Sequence, residues 1–104
     1  MVNDLGGSAD GTGADPGPAA QVTAEIAGAG GAALADTSDV ATAAGARAVV
    51  EAAVAHFGRL DILINNAGII RWAGFPEADE DNLARHLAVH TVGSFNTALS
   101  LIHI

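Results

Sequence analysis

An apolar run, Leu60-Asp61-Ile62-Leu63-Ile64, stops at two amides and a glycine, Asn65-Asn66-Ala67-Gly68, before Ile69-Ile70-Arg71. A run of this length that ends in turn-forming residues predicts a buried strand entering a sharp turn. In parallel α/β sheets, ligands sit just beyond the carboxyl ends of such strands. This one segment therefore predicts both a fold class and the side of the sheet on which chemistry takes place.

The rest of the chain supplies the alternation that such a fold requires. Met1–Asp4 reads as a short strand closed by a carboxylate, and Leu5–Gly17 as a loop dense in Gly, Asp, Ser and Pro. Pro18–Ile26 reads as a helix: proline suits its first turn, and Val22 and Ile26 share a face. Gly28–Gly31 ends it. Ala32–Ala35 is a weak strand and Asp36–Asp39 a turn. Ala41–Phe57 reads as a second helix with Val50, Ala53, Val54 and Phe57 on one stripe and Gly58 as its stop. After the 60–65 strand, Gly68–Glu77 is a loop. Asp79 or Asp81 then caps a last helix that breaks near Arg85 and runs to the end. Strand and helix in strict alternation predict right-handed βαβ units in a parallel, doubly wound sheet.

Composition narrows the function classes. With 104 residues, four Arg, no Lys and twelve acidic residues, the formal charge is −8. Such a surface repels nucleic acid and anionic lipid, so neither is expected as a partner. There is no cysteine, which excludes disulfides and thiolate metal sites. No apolar run approaches the ~18–20 residues of a membrane span. The first residues carry neither a basic region nor an apolar h-region, so no signal peptide is read and a cytoplasmic protein is expected. The core draws on Ala, Gly and four aromatics, which limits burial at roughly 25 cal/mol per Å².

Several residues carry candidate chemistry. Asp4, closing a strand, is either a turn aspartate or an acceptor for both hydroxyls of a ribose. Asp39-Val40 is either a helix cap or an acceptor–donor pair for an adenine ring. Gly7-Ser8-Ala9-Asp10-Gly11-Thr12-Gly13 fits a phosphate-binding glycine spacing, but Asp10 and Asp15 repel phosphate and Pro16-Gly17-Pro18 delays the helix, so this reading is rejected. His86 and His90 lie four apart on one helix face. That spacing suits a metal, but Leu87 stands where a zincin has its glutamate and no third ligand is close, so no metal is expected. His56, near a helix end, is read as a partner of the helix dipole.

Val2-Asn3-Asp4-Leu5-Gly6-Gly7, Asp39-Val40, Phe57–Ile69 with Asn65-Asn66-Ala67-Gly68, and Val89-His90-Thr91-Val92-Gly93-Ser94-Phe95 occur in an order and spacing that resemble the short-chain dehydrogenase/reductase family. The nearest likeness is to its (3R)-hydroxyacyl-CoA dehydrogenase and 3-oxoacyl-carrier-protein reductase members. The resemblance implies a partial Rossmann-type fold over 1–104, lacking the first strand with its glycine loop and the C-terminal half. It implies an NAD(P)-dependent oxidoreductase acting on a 3-hydroxyacyl or 3-oxoacyl thioester, or a similar alcohol or ketone. Asp4, Asp39, Val40, Asn66, Ala67 and Gly68 would then bind the cofactor. Asp4 favours NAD over NADP, since a carboxylate repels a 2′-phosphate.

His90 falls where many members place a catalytic Asn. The catalytic Ser and Tyr-x-x-x-Lys of the family are not in this chain, which has no Tyr and no Lys, so the resemblance implies a fragment inactive by itself within a homo-oligomeric parent. The alternative is a non-catalytic dinucleotide-binding or scaffold protein of the same fold. Leu99–Ile104 departs from the family pattern and resembles translated adapter bases, which marks 99–104 as a candidate non-native tail.

Overall fold

The computed structural model describes residues 1–8, 12 and 17–104. Strand β1 (Val2–Asn3) pairs in parallel with β2 (Ala35–Asp36), Val2 opposite Ala35 and Asn3 opposite Asp36. Helix α1 (Gly17–Gly28) lies between them in the chain and packs on both, which makes one βαβ unit. Its end is set by a left-handed Gly30 (φ +88°), with Gly31 N–H donating to Ile26 O at 2.9 Å and Gly30 N–H to Ala27 O at 3.0 Å. Only glycine enters that conformation without strain.

Strand β2 lies later than the sequence reading of Ala32–Ala35, and Asp36, read as a turn residue, belongs to it. The cause is side-chain register: the Asp36 carboxylate accepts from Asn3 Nδ2 at 2.7 Å and from Ser38 N–H at 2.9 Å. That pair locks polar residues into strands whose apolar content is too low to fix the register by burial.

Helix α2 (Ala43–Phe57) starts two residues later than read, because Thr42 is its cap and accepts from Gly45 N–H at 3.0 Å. Gly58 (φ +81°) stops it as expected, donating to Val54 O at 2.8 Å. Its buried face is Ala46, Val49, Val50 and Ala53, one turn earlier than the predicted stripe. Phe57 is exposed, because it sits on the last turn, where its ring meets His56 edge-on at 4.6 Å.

The strand expected at Leu60–Asn65 needs correction. No ladder forms there, and Ile62 and Ile64 are 75% and 81% exposed. A strand exists only by pairing. One edge of β1 is taken by β2, no strand pairs with the other among the described residues, and Met1, Asn3 and Asp4 line one cavity with Leu60 and residues 62–65. The segment has the apolar character of a central strand without a neighbour to bond.

A short 3₁₀ turn at Phe75–Glu77 precedes α3 (Glu80–His86), capped by Asp79, whose carboxylate accepts from Asn82 N–H at 2.7 Å. The helix continues through a π-helical stretch at Leu87–Gly93 into α4 (Ser94–Ile102), so the expected break near Arg85 is a widened turn beginning at Leu87. Helix α4 packs on α2. The core is small: Ala19, the inner face of α2, Ile69 and Thr97. The accessible surface is 6763 Å², against about 5400 Å² for a compact protein of this mass. The radius of gyration is 14.8 Å, against about 13 Å. A thin slab 17 Å across its short axis accounts for both. Among the described residues no helix is long and apolar enough to cross a membrane.

Candidate functional site

Three stretches meet at one end of the sheet: the exit of β1, the turn after β2, and the turn at 65–69. Together they line a cavity of about 560 Å³. Asp4, Asp39, Val40, Asn66, Ala67 and Gly68, drawn from all three stretches, share its wall. Residues up to 64 positions apart are thus neighbours through the βαβ path.

Each is held by local chemistry. Asp4 is exposed, and its Oδ1 accepts from the N–H of Gly6 at 2.7 Å, where Gly6 takes φ +81°. A short acceptor side chain turning the backbone just after a strand is an Asx turn. It leaves the carboxylate at the strand end with acceptor capacity beyond that single bond. Asp39 is half-buried and its Oδ1 accepts from Ala41 N–H at 3.0 Å, while its carbonyl accepts from Thr42 N–H and Oγ1. It therefore organises the turn, and Thr42 does the capping. Val40 backs onto the π-helical stretch, where a Cβ at Gly93 would lie 3.3 Å from its Cγ2.

The turn at 65–69 is tied to the last helix by side chains. Thr97 Oγ1, buried, donates to Asn65 Oδ1 at 2.7 Å. His90 places Nε2 3.1 Å from Ile69 N and 2.9 Å from Ile69 O, so it accepts from the one or donates to the other according to which ring nitrogen carries the proton. Its ring lies so close to Gly68 that a Cβ there would meet Cε1 at 2.6 Å. His90 thus stands behind the turn and is not among the cavity-lining residues. The π-helical widening centres on it, a distortion frequent at functional positions.

Thr97 was not singled out from sequence, and Asn65 was read as part of the turn but not as its anchor. The available signal was small: Thr97 follows Gly93 by one turn on the face that meets the amide pair. Residues Ala9–Gly11 and Gly13 of the rejected glycine motif lie outside the described residues, as do Asp15 and Pro16. Ser8 and Thr12, which are described, bond each other. The His86 and His90 rings stack at 6.0 Å with 6° between planes, and their nitrogens contact backbone groups. Among the described residues no group of three or more His, Asp or Glu gathers as a metal site.

Comparison with known proteins adds an independent line. The short chain dehydrogenase family profile matches residues 11–104. A short-chain type dehydrogenase/reductase of Mycobacterium tuberculosis is 41% identical over 96 residues, covering 92% of this chain and 34% of that protein. The peroxisomal multifunctional enzyme type 2 of Drosophila melanogaster is 44% identical over 95 residues, covering 91% of this chain and 15% of that protein. Among solved structures, a short chain dehydrogenase from Mycobacterium avium superposes with a TM-score of 0.81 at 42% identity, over 95% of this chain and 35% of that one. A Burkholderia cenocepacia short chain dehydrogenase in complex with NADP gives 0.75 at 30% identity, over 81% and 34%. The chain thus spans about a third or less of the relatives it matches.

Proposed function

Because the chain belongs to the short-chain dehydrogenase family, we propose that it supplies the adenosine-side half of a dinucleotide site in a larger NAD(P)-dependent oxidoreductase. The substrate class is a 3-hydroxyacyl or 3-oxoacyl thioester, or a similar alcohol or ketone. The observation that carries the reading is the single cavity shared by Asp4, Asp39, Val40 and the 66–68 turn. The likeness to a solved 3-ketoacyl-ACP reductase of Sinorhizobium meliloti, at 33% identity, supports the 3-oxoacyl thioester class.

The residues present fit a dinucleotide. An exposed carboxylate at the end of β1 suits vicinal ribose hydroxyls. The Asp39–Val40 turn borders the space next to it and suits an adenine edge. The Asn66-Ala67-Gly68 turn lines the same cavity. When bound, the dinucleotide accepts or donates hydride, and the organic chemistry is its own. The chain's residues bind and orient: Asp4 selects NAD by repelling a 2′-phosphate, and Asn66 borders the cofactor. His90, at the position many members give to Asn, holds the backbone of Ile69. Proton transfer falls to Ser, Tyr and Lys outside this chain, so the chain alone is inactive. The intact enzyme is a homo-oligomer, a reading supported by the exposed Phe95 on α4.

Cofactor titration of the intact protein tests this. Calorimetry should show NAD binding more tightly than NADP. Absence of binding by either dinucleotide would refute the proposal, and tighter binding of NADP would refute the role of Asp4.

A further inference from the structure

His86 lies outside the cavity and has no part in the proposed function, yet its surroundings are specific. It is the last residue of α3, half-buried, with Nδ1 2.8 Å from Asn82 O. A carbonyl oxygen only accepts, so Nδ1 carries the proton. The neutral ring's other nitrogen is then an acceptor, and Nε2 lies 3.3 Å from Arg71 N, whose N–H donates to it. The side chain of Asn82 completes the grip, donating from Nδ2 to Arg71 O at 3.4 Å. The guanidinium of Arg71 pairs with Asp81 at 2.9 Å. One turn on, His90 Nε2 meets the N–H and the carbonyl of Ile69. The stacked rings therefore read the backbone of 69–71 much as a neighbouring strand would, immediately beyond the Asn66–Gly68 turn.

We propose that His86 is a positioning residue: a neutral imidazole protonated on Nδ1 that holds Arg71, and through it the segment leaving the cofactor turn, against the helix that carries His90. The two rings differ in one respect. A doubly protonated His90 can donate Nε2–H to Ile69 O, whereas a doubly protonated His86 faces an N–H with an N–H and loses its bond. The ionisable groups around His86 are His90, the Arg71–Asp81 pair, Asp79 at the start of α3, and Arg85 beside it in the chain.

The link to turnover rests on the oxidoreductase reading; the hydrogen bonding does not. In the intact enzyme labelled with ¹⁵N-histidine, long-range ¹⁵N–¹H spectra should show neutral His86 protonated on Nδ1. The protection factor of the Arg71 amide should fall at least tenfold as the ring gains its second proton. In His86→Gln, whose Oε1 can accept the same N–H, protection should be independent of pH. In His86→Leu it should be lost at every pH, and kcat should fall several-fold with the KM for NAD unchanged and be recovered by His86→Gln. A neutral ring protonated on Nε2, or full Arg71 protection in His86→Leu, overturns the proposal. Unchanged kcat with Arg71 unprotected overturns the positioning role. If the unaltered protein has no dehydrogenase activity, the oxidoreductase reading fails while the tautomer and exchange results still decide the contact.

Discussion

Alanine at Gly68 should be destabilising because of one ring, and removal of that ring should abolish the effect. A Cβ at Gly68 would stand 2.6 Å from His90 Cε1, 3.3 Å from Nδ1 and 3.4 Å from Nε2. The first distance is not sustainable, so the ring must move. It cannot swing freely, since Nε2 is held between Ile69 N at 3.1 Å and Ile69 O at 2.9 Å. Moving it forfeits a hydrogen bond of about 0.5–1.5 kcal/mol. With local repacking, the total is expected at about 1–3 kcal/mol. Backbone strain does not enter: Gly68 is not among the glycines with positive φ, which are Gly6, Gly30 and Gly58 among the described residues. In a His90→Ala background the same substitution should therefore be neutral, or stabilise by about 0.4–1 kcal/mol through the unfolded chain. Urea unfolding of the four proteins of this cycle, made in the intact enzyme, gives the coupling energy. A value below about 0.5 kcal/mol would refute the reasoning, since groups in direct contact couple by at least that much.

Asp4→Ser in the intact enzyme should lower the NAD-to-NADP ratio of kcat/KM, and an unchanged ratio would remove Asp4 from cofactor selection. Thr97→Val keeps the shape of a buried side chain but removes its bond to Asn65; unfolding should show a loss of about 1 kcal/mol, with water able to serve the exposed amide. The purified 104-residue chain should show no turnover with NADH and an acetoacetyl thioester, and reproducible activity above a protein-free control would contradict this. The same chain should unfold without a cooperative near-UV transition at Trp72, whereas a sharp transition with strong hydrogen-exchange protection across Leu60–Asn65 would show that it folds by itself.

What was legible in the sequence was what local chemistry decides. Gly58 stops α2, Asp79 caps α3, and the glycines after α1 end it, because caps and left-handed turns involve residues within one turn of each other. The convergence of residues 4, 39–40 and 66–68 was legible only through the family pattern, since no local rule links positions so far apart. Register was not legible: the Asn3–Asp36 bond that sets it spans 33 positions. Nor was the exposure of Ile62 and Ile64. Their apolar alternation states what the segment would bury, and burial depends on a neighbour.

The cavity wall at 65–69 raises a physical question, because the segment leading into it has no ladder to hold it. In a complete parallel sheet the strand would fix the turn that follows. Here the fixing comes from the helix side: Thr97 on Asn65, His90 on Ile69, His86 and Asn82 on Arg71. All of these donors and acceptors lie between the start of α3 and α4, and the π-helical widening lies between His86 and Thr97. On an unbroken helix of 3.6 residues per turn, positions 86, 90 and 97 fall within about 40° of one another, so their spacing already puts all three on one face. The helix addresses both ends of the segment, the amide at its start and the backbone at its exit. The position of the turn depends on that helix more than on the strand whose sequence announces it.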